Sequence, residues 1–128
     1  MIERSAAGAY NTHGQPNILT MQGLLGACKN VSQSDAQFVW ASEEFLLEQQ
    51  VAAWSEMPLW LPEEAAPHLK GFMFISPRKA IAEGLTFRPL TETISDTLSW
   101  YQTHHANEPL KAGLKSDKER SLLAKLRC

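Results

Sequence analysis

The chain has 128 residues, of which 44% are hydrophobic and 20% charged, and its formal net charge is −2. These values predict a single domain, residues 1–128, that buries its own core, and they argue against disorder over the whole length. The 12 basic residues are dispersed along the chain, so there is no electrostatic footprint for nucleic acid and we expect no such partner.

The apolar runs are all far shorter than the roughly 20 residues that cross a bilayer, and residues 1–5 lack the apolar centre of a signal peptide. We therefore expect no membrane partner and a cytoplasmic location. Cys28 falls in a predicted amphipathic helix and Cys128 is the last residue. Reduced thiols are accordingly expected rather than a structural disulfide.

The first part of the chain predicts an extended segment followed by a helix. Residues 7–12 form a short extended run that ends in loop residues at Gly14 and Pro16. Thr20 is a suitable N-cap for the next helix. That helix carries an apolar stripe at helical spacing, formed by Met21, Leu24, Leu25, Cys28 and Val31.

The middle of the chain predicts a strand, a helix and an irregular aromatic segment. Phe38 and Trp40 alternate with other residues over 36–41 as in a strand. Ser42, followed by two glutamates, predicts a second helix start. Residues 54–62 contain prolines and tryptophans, so we expect an irregular segment that packs on other parts of the protein.

The second half predicts a strand and three further helices. The apolar run 72–75 suits a short buried strand. Ser76 suits a helix N-cap, Pro77 suits the first helical position, and Gly84 suits a left-handed stop. Helical spacing returns over 90–101. The last helix follows a capping box formed by Ser116 to Glu119 and buries Leu122, Leu123 and Leu126.

Together these elements predict an α+β (mixed α/β) fold in which about five helices cover a small two- or three-stranded sheet.

The order of the sequence motifs also resembles that of a known protein family. The stretch SPRKAIAEGLTFRPLTETISDTLSWY at residues 76–101 resembles the C-terminal, substrate-binding part of the extended short-chain dehydrogenases, the NAD-dependent epimerase/dehydratase family. GAYNTHG at residues 8–14, the helix start at Thr20 and residues 112–127 resemble the same region, particularly in reductase-like members.

The family's nucleotide-binding half has no counterpart in this chain. No two of the seven glycines have the Gly-x-Gly spacing of a dinucleotide turn. Tyr10 and Tyr101 are followed four residues later by Gly14 and His105, so neither belongs to a Tyr-x-x-x-Lys pair. The resemblance thus implies a substrate-binding domain without a Rossmann domain, without catalytic residues and without its own cofactor, whose full-length parent uses NAD or NADP.

The sequence leaves two functions open. One is a fragment of an NAD(P)-dependent epimerase, dehydratase or reductase, inert alone, with the Rossmann domain of the parent as partner. The other is a stand-alone module that binds a small molecule or docks on another chain without redox chemistry. In the family the nucleotide-binding domain covers this part of the protein, so an apolar face left exposed without that domain predicts homo-oligomers.

Two groups of residues are candidates for substrate binding. Asn11 and His13 follow a predicted strand end, where polar side chains often line a pocket; the alternative is that they only hydrogen-bond the turn leading to Gly14. The second group, Trp54, Met57 and Trp60, offers an apolar pocket wall for an aromatic substrate or, as the alternative, anchors its own segment to the core.

Other chemistries lack their usual signals. The adjacent pair His104 and His105 is completed by no further metal ligand at suitable spacing, so no metal site is predicted. Many family members that act on nucleotide sugars carry an Asp where this chain has Ser76, with an upstream Arg that is absent here between Trp60 and Pro77. The resemblance therefore implies a less charged substrate.

Overall fold

A computed structural model describes residues 7–14, 19–62, 67–69, 71 and 75–126. These residues form a helical protein. The five α-helices that they contain are α1 (Met21–Ser32), α2 (Glu43–Glu48), α3 (Arg78–Ala82), α4 (Leu90–His104) and α5 (Ser116–Leu126), with a 3₁₀ turn at Pro67–Leu69.

The predicted α+β fold with a small sheet is wrong. The described residues include no β-strand, and an isolated bridge joins Ala53 to Met57. Residues 7–12 and 36–41 have irregular backbone, and Phe38 and Trp40 are exposed. Alternation over six residues predicts a strand only if one face becomes buried against a neighbour. Here that burial does not occur.

The strand predicted at residues 72–75 lies mostly outside the described part of the chain. Residues 72–74 are not among the described residues, and Ile75 at the end of the run is exposed rather than buried. Directly after it, the Ser76 hydroxyl accepts a hydrogen bond from the Arg78 amide at 3.4 Å. Only Ser76 and Pro77 separate Ile75 from Arg78, the first residue of α3.

Two predicted helix starts are confirmed. The Thr20 hydroxyl accepts a hydrogen bond from the Gly23 amide at 3.1 Å and begins α1. The Ser42 hydroxyl accepts one from the Phe45 amide at 3.2 Å and begins α2. Each bond satisfies one of the amides that the first helical turn leaves without a partner, so these starts are encoded locally.

Two other starts differ in detail from the prediction. Pro77 occupies the N-cap of α3 rather than the first helical position, so this helix begins one residue later than expected. In α5 the Glu119 amide donates to the Lys115 carbonyl at 2.9 Å. Ser116 is therefore already helical, and it is not the N-cap that the expected capping box requires.

The described residues belong to two compact units, each built from two separate stretches of sequence. The first unit comprises Met1–Ala36 with Gly71–Ala106, and the second comprises Gln37–Lys70 with Asn107–Cys128. In the first unit α1 packs against α4, while Pro77 and Ala80 at α3 are buried completely.

The second unit has a small core built from α2, a residue shortly after its end, and α5. Leu46, Val51 and Leu122 are its buried members. Five partly buried apolar residues pack around them: Ala41, Phe45, Met57, Trp60 and Leu114. Lys118 on α5 donates hydrogen bonds to the Glu56 carboxylate at 2.5 Å and to the Gln50 carbonyl at 3.0 Å, and so ties the helix to the loop.

None of the helices in the described part of the chain is both long and apolar enough to pass through a lipid bilayer.

Candidate functional site

An open groove of about 600 Å³ lies in the first unit. We call it the His13 groove, after the residue that gives it its polar character. Its principal lining residues are Thr12, His13, Leu85, Phe87, Leu90 and Thr93. Two segments that are distant in the sequence thus form its two walls, one before α1 and one that runs from the end of α3 into α4.

His13 gives the groove its most unusual feature. Its Nε2 atom is buried and has no hydrogen-bond partner among the described residues. Buried polar atoms in folded proteins nearly always have a partner, so an atom of this kind is unusual. This observation singles out His13 among the described residues that line the groove.

The first wall is fastened to α3 by side chains. Lys79 donates a hydrogen bond from Nζ to the Ala9 carbonyl at 3.1 Å, and the same Nζ lies 4.1 Å from the centre of the Tyr10 ring. Asn11 donates from Nδ2 to the Ser76 carbonyl at 3.4 Å. These contacts hold residues 9–11 and thereby fix the place of His13 two residues later.

Asn11 and His13 were both predicted to line a substrate pocket, but of the two only His13 belongs to the lining of the groove. His13 lines the groove, whereas Asn11 is exposed and holds the wall against the residue before Pro77. The alternative prediction, that Asn11 hydrogen-bonds the turn leading to Gly14, also does not describe this contact. The acceptor is the Ser76 carbonyl, which is far from Asn11 in the sequence.

The second wall begins with the stop of α3. The Leu85 amide donates to the Ala80 carbonyl at 2.9 Å, and the Gly84 amide donates to the Ile81 carbonyl at 2.9 Å. With Gly84 at φ +94°, this is a Schellman motif. The predicted left-handed stop at Gly84 is confirmed. The motif turns the chain sharply, and the residue directly after it, Leu85, contributes an apolar surface to the groove.

Arg88 supplies the charge at the edge of the groove. Its guanidinium lies 2.6 Å from the Asp96 carboxylate and 3.7 Å from that of Glu92. The hydrogen bond to Asp96 raises the pKa of Arg88 above its ordinary value, with a smaller contribution from the charge of Glu92. Two carboxylates thus balance the positive charge beside the groove.

The second predicted group lies in the other unit. Met57 and Trp60 pack against the core formed by Leu46, Val51 and Leu122. Trp54 is half exposed and adopts a left-handed backbone conformation, with φ 62°. The structure therefore does not bring Trp54, Met57 and Trp60 into the His13 groove, and the positions of Met57 and Trp60 agree with the alternative in which they anchor their own segment.

Sequence reasoning missed the second wall of the groove. Leu85, Phe87 and Thr93 were not among the candidate residues, although Leu85 follows the predicted stop directly. The spacing of Glu92 and Asp96, four and eight residues after Arg88, was visible in the sequence and is typical of pairs on one helix face. Among the described residues, no three His, Cys, Asp or Glu side chains are grouped as metal ligands.

Comparison of the chain with models of known protein families, with curated proteins and with solved structures finds no match.

Proposed function

We propose that this protein binds a small molecule in the His13 groove. The observation that carries the proposal is the groove itself, whose volume of about 600 Å³ is lined mainly by apolar side chains together with a few polar ones such as His13. Small-molecule sites are commonly concave and mostly apolar, with a few polar groups that orient the ligand, and volumes of about 300–1,000 Å³ are typical. The groove matches this description in size and in composition.

The two segments that carry the family resemblance also contribute to the two walls of this groove. The segments that resemble the substrate-binding part of extended short-chain dehydrogenases include residues 8–14 and 76–101. Residues of both segments line the groove, His13 from the first and Leu85, Phe87 and Leu90 from the second. We therefore propose substrate recognition for a reductase-like NAD(P)-dependent parent as the context of binding, with the redox chemistry performed by a separate nucleotide-binding domain.

Blocking the groove tests this function. Thr93 lines the groove on α4, whereas Thr97 lies one turn further along the same helix and is not part of the lining. Both threonines are exposed, so tryptophan at either position is tolerated by the core. We expect Thr93→Trp to fill the groove and Thr97→Trp to leave it open.

The measurement is a screen of small neutral fragments against the ¹⁵N-labelled full chain by NMR. We expect binding fragments to shift the amides of Thr12, His13 and Leu85, and we expect Thr93→Trp to abolish these shifts while Thr97→Trp preserves them. A screen in which no fragment shifts the groove amides, or in which both variants behave alike, would refute the proposed function.

A further inference from the structure

We infer that the His13 groove takes an uncharged and predominantly apolar molecule and discriminates against both anions and cations. This inference rests on the proposed function and specifies the chemical class of the ligand. It depends on two features of the described residues. The lining is mostly apolar, and its positively charged residue, Arg88, is already paired with carboxylates that lie outside the lining.

Apolar side chains make up most of the groove lining. Leu85, Phe87 and Leu90 belong to the second wall, and Leu19 lies directly before the N-cap of α1. A ligand that covers these side chains removes its own apolar surface and theirs from water, and this provides the main driving force for binding. Because the groove is open, a bound molecule keeps one side in contact with solvent. The affinity gained per carbon atom is therefore smaller than in an enclosed cavity.

The polar part of the lining suits a neutral hydrogen-bonding group. Thr12, Thr86 and Thr93 contribute to it, and all three residues are exposed. A threonine hydroxyl can both donate and accept a hydrogen bond, so it can serve an amide, a carbonyl or a hydroxyl group on the ligand. It supplies no full charge that would balance an ion. These threonines therefore favour a small uncharged polar group on an otherwise apolar ligand.

Arg88 does not offer an anion a free binding partner. Its guanidinium is bonded to the Asp96 carboxylate at 2.6 Å and lies 3.7 Å from that of Glu92. A carboxylate or phosphate on the ligand would compete with both acidic side chains for the same guanidinium and would be repelled by them. One positive and two negative charges at this edge of the groove thus disfavour an anion.

A cation lacks a partner in the groove as well. Among the described residues that line it there is no Asp or Glu, and the two carboxylates near its edge are engaged by Arg88. An ammonium or amidinium group would lose part of its hydration in the groove without forming an ion pair there. An uncharged group loses less hydration, so it is the group that the lining accepts at the lowest cost.

Three probes of nearly the same shape isolate the effect of charge. At pH 7.5 benzamide is neutral, benzoate is an anion and benzamidine is a cation, and each carries one phenyl ring. Each is titrated into the ¹⁵N-labelled full chain at that pH, and dissociation constants are taken from the amide shifts of Thr12 and Leu85. We expect benzamide to bind at least about fivefold more tightly than either ion, because the ions lose hydration without gaining a partner.

A fourth probe, 4-ethylbenzamide, measures the apolar contribution. We expect it to bind about fourfold more tightly than benzamide, which corresponds to half burial of its two added carbon atoms. Phe87→Ala removes part of the apolar lining and should reduce this gain to less than about twofold. Ile81→Ala removes a side chain of similar exposure, 41% against 36% for Phe87, outside the lining and should keep the full gain.

The possible results distinguish the two proposals. If benzoate or benzamidine binds as tightly as benzamide or more tightly, the inference about ligand class is overturned and binding in the groove stands. An ethyl group that does not tighten binding, or that gives the same gain in Phe87→Ala as in the parent, would also overturn it. The charge series uses the parent protein and so decides the question even if Phe87→Ala does not fold. If none of the four probes shifts the groove amides, the proposed function itself fails.

Discussion

Lys79 on α3 lies over the ring of Tyr10, with its Nζ 4.1 Å from the ring centre, and donates to the neighbouring Ala9 carbonyl at 3.1 Å. One side chain thus makes a cation–π contact and a hydrogen bond to the same segment. The two residues are far apart in the sequence, so Lys79 fastens the wall that carries His13 to α3.

Lys79→Met is therefore expected to loosen residues 8–14 without unfolding α3. A cation–π contact and a charged hydrogen bond at an exposed site together contribute about 1 kcal/mol, which corresponds to roughly fivefold faster amide exchange. Hydrogen–deuterium exchange measures this directly. Arg78→Met removes a charge from the adjacent, exposed residue and serves as the control; equal exchange in both variants would contradict the role of Lys79.

The pairing of Arg88 with Asp96 predicts how anion binding can be introduced. Asp96→Asn removes the nearer carboxylate and leaves Arg88 with Glu92 alone. We expect benzoate to bind the variant more tightly, by up to about fivefold, since an exposed ion pair contributes little more than this. The measurement is the NMR titration with benzoate at low and high salt. If the affinity for benzoate at low salt is the same in the variant and the parent, the ion pair with Asp96 does not keep Arg88 from binding anions.

Truncation of a single side chain in the core of the second unit is expected to reduce the stability of the protein strongly. Leu122 is 7% exposed and belongs to the cluster with Leu46 and Val51, whereas Leu110 is 77% exposed. Leu122→Ala should reduce the free energy of unfolding by about 3 kcal/mol, because it leaves a cavity. Leu110→Ala should change it by less than about 0.5 kcal/mol. Urea denaturation monitored by tryptophan fluorescence compares the two; similar midpoints would contradict this packing.

The contact between Lys118 and Glu56 predicts a dependence of stability on pH. The hydrogen bond from Lys118, reinforced by the Ala52 amide, holds the pKa of Glu56 below its ordinary value. A carboxylate with a lowered pKa in the folded state stabilises the protein above its unfolded pKa, and this contribution is lost as the pH falls through the folded value.

Glu56→Gln should therefore be less stable than the parent at pH 7, and the difference should shrink as the pH falls below about 4.3, the ordinary pKa of glutamate. Thermal unfolding at a series of pH values measures this. Glu119→Gln alters an exposed carboxylate on α5 and provides the comparison. A gap between the parent and Glu56→Gln that stays constant down to a pH of about 3 would rule out the ionic contribution.

The sequence also predicts that this chain does not bind a dinucleotide by itself. None of its glycines forms the Gly-x-Gly spacing on which a dinucleotide turn depends. Calorimetric titration with NADH and with NADPH should give no binding heat, and the same cofactor solutions titrated into an active NAD-dependent dehydrogenase provide the positive control. Saturable binding to this chain would place a cofactor site within these 128 residues.

The helices were largely predictable because their signals are local. Thr20 and Ser42 each bond to an amide three residues later, and Gly84 needs only its own positive φ and the carbonyls of the preceding turn. Such interactions depend on residues within one or two turns, so the sequence pattern contains them in full. The starts of α3 and α5 were predicted less exactly, because the ends of helices commonly vary by a residue.

The strands were not predictable in the same way. A strand requires a second segment that completes its ladder, and alternation at Phe38 and Trp40 indicates only that a strand is possible. Whether a partner segment exists is a property of the folded chain. In the described residues the alternating segment stays irregular and exposed, so the apolar pattern alone led to the wrong fold class.

The sequence by itself determined where α1, α2 and the stop of α3 lie, and it singled out His13 as a candidate. Only the tertiary structure decided that His13 shares a groove with Leu85 and Phe87, that Asn11 fastens the wall instead of lining it, and that Met57 and Trp60 serve the core of the other unit. The physical reason is one of distance along the chain. Caps and turns are satisfied by near neighbours, whereas a groove needs segments that approach each other only when the whole unit has packed.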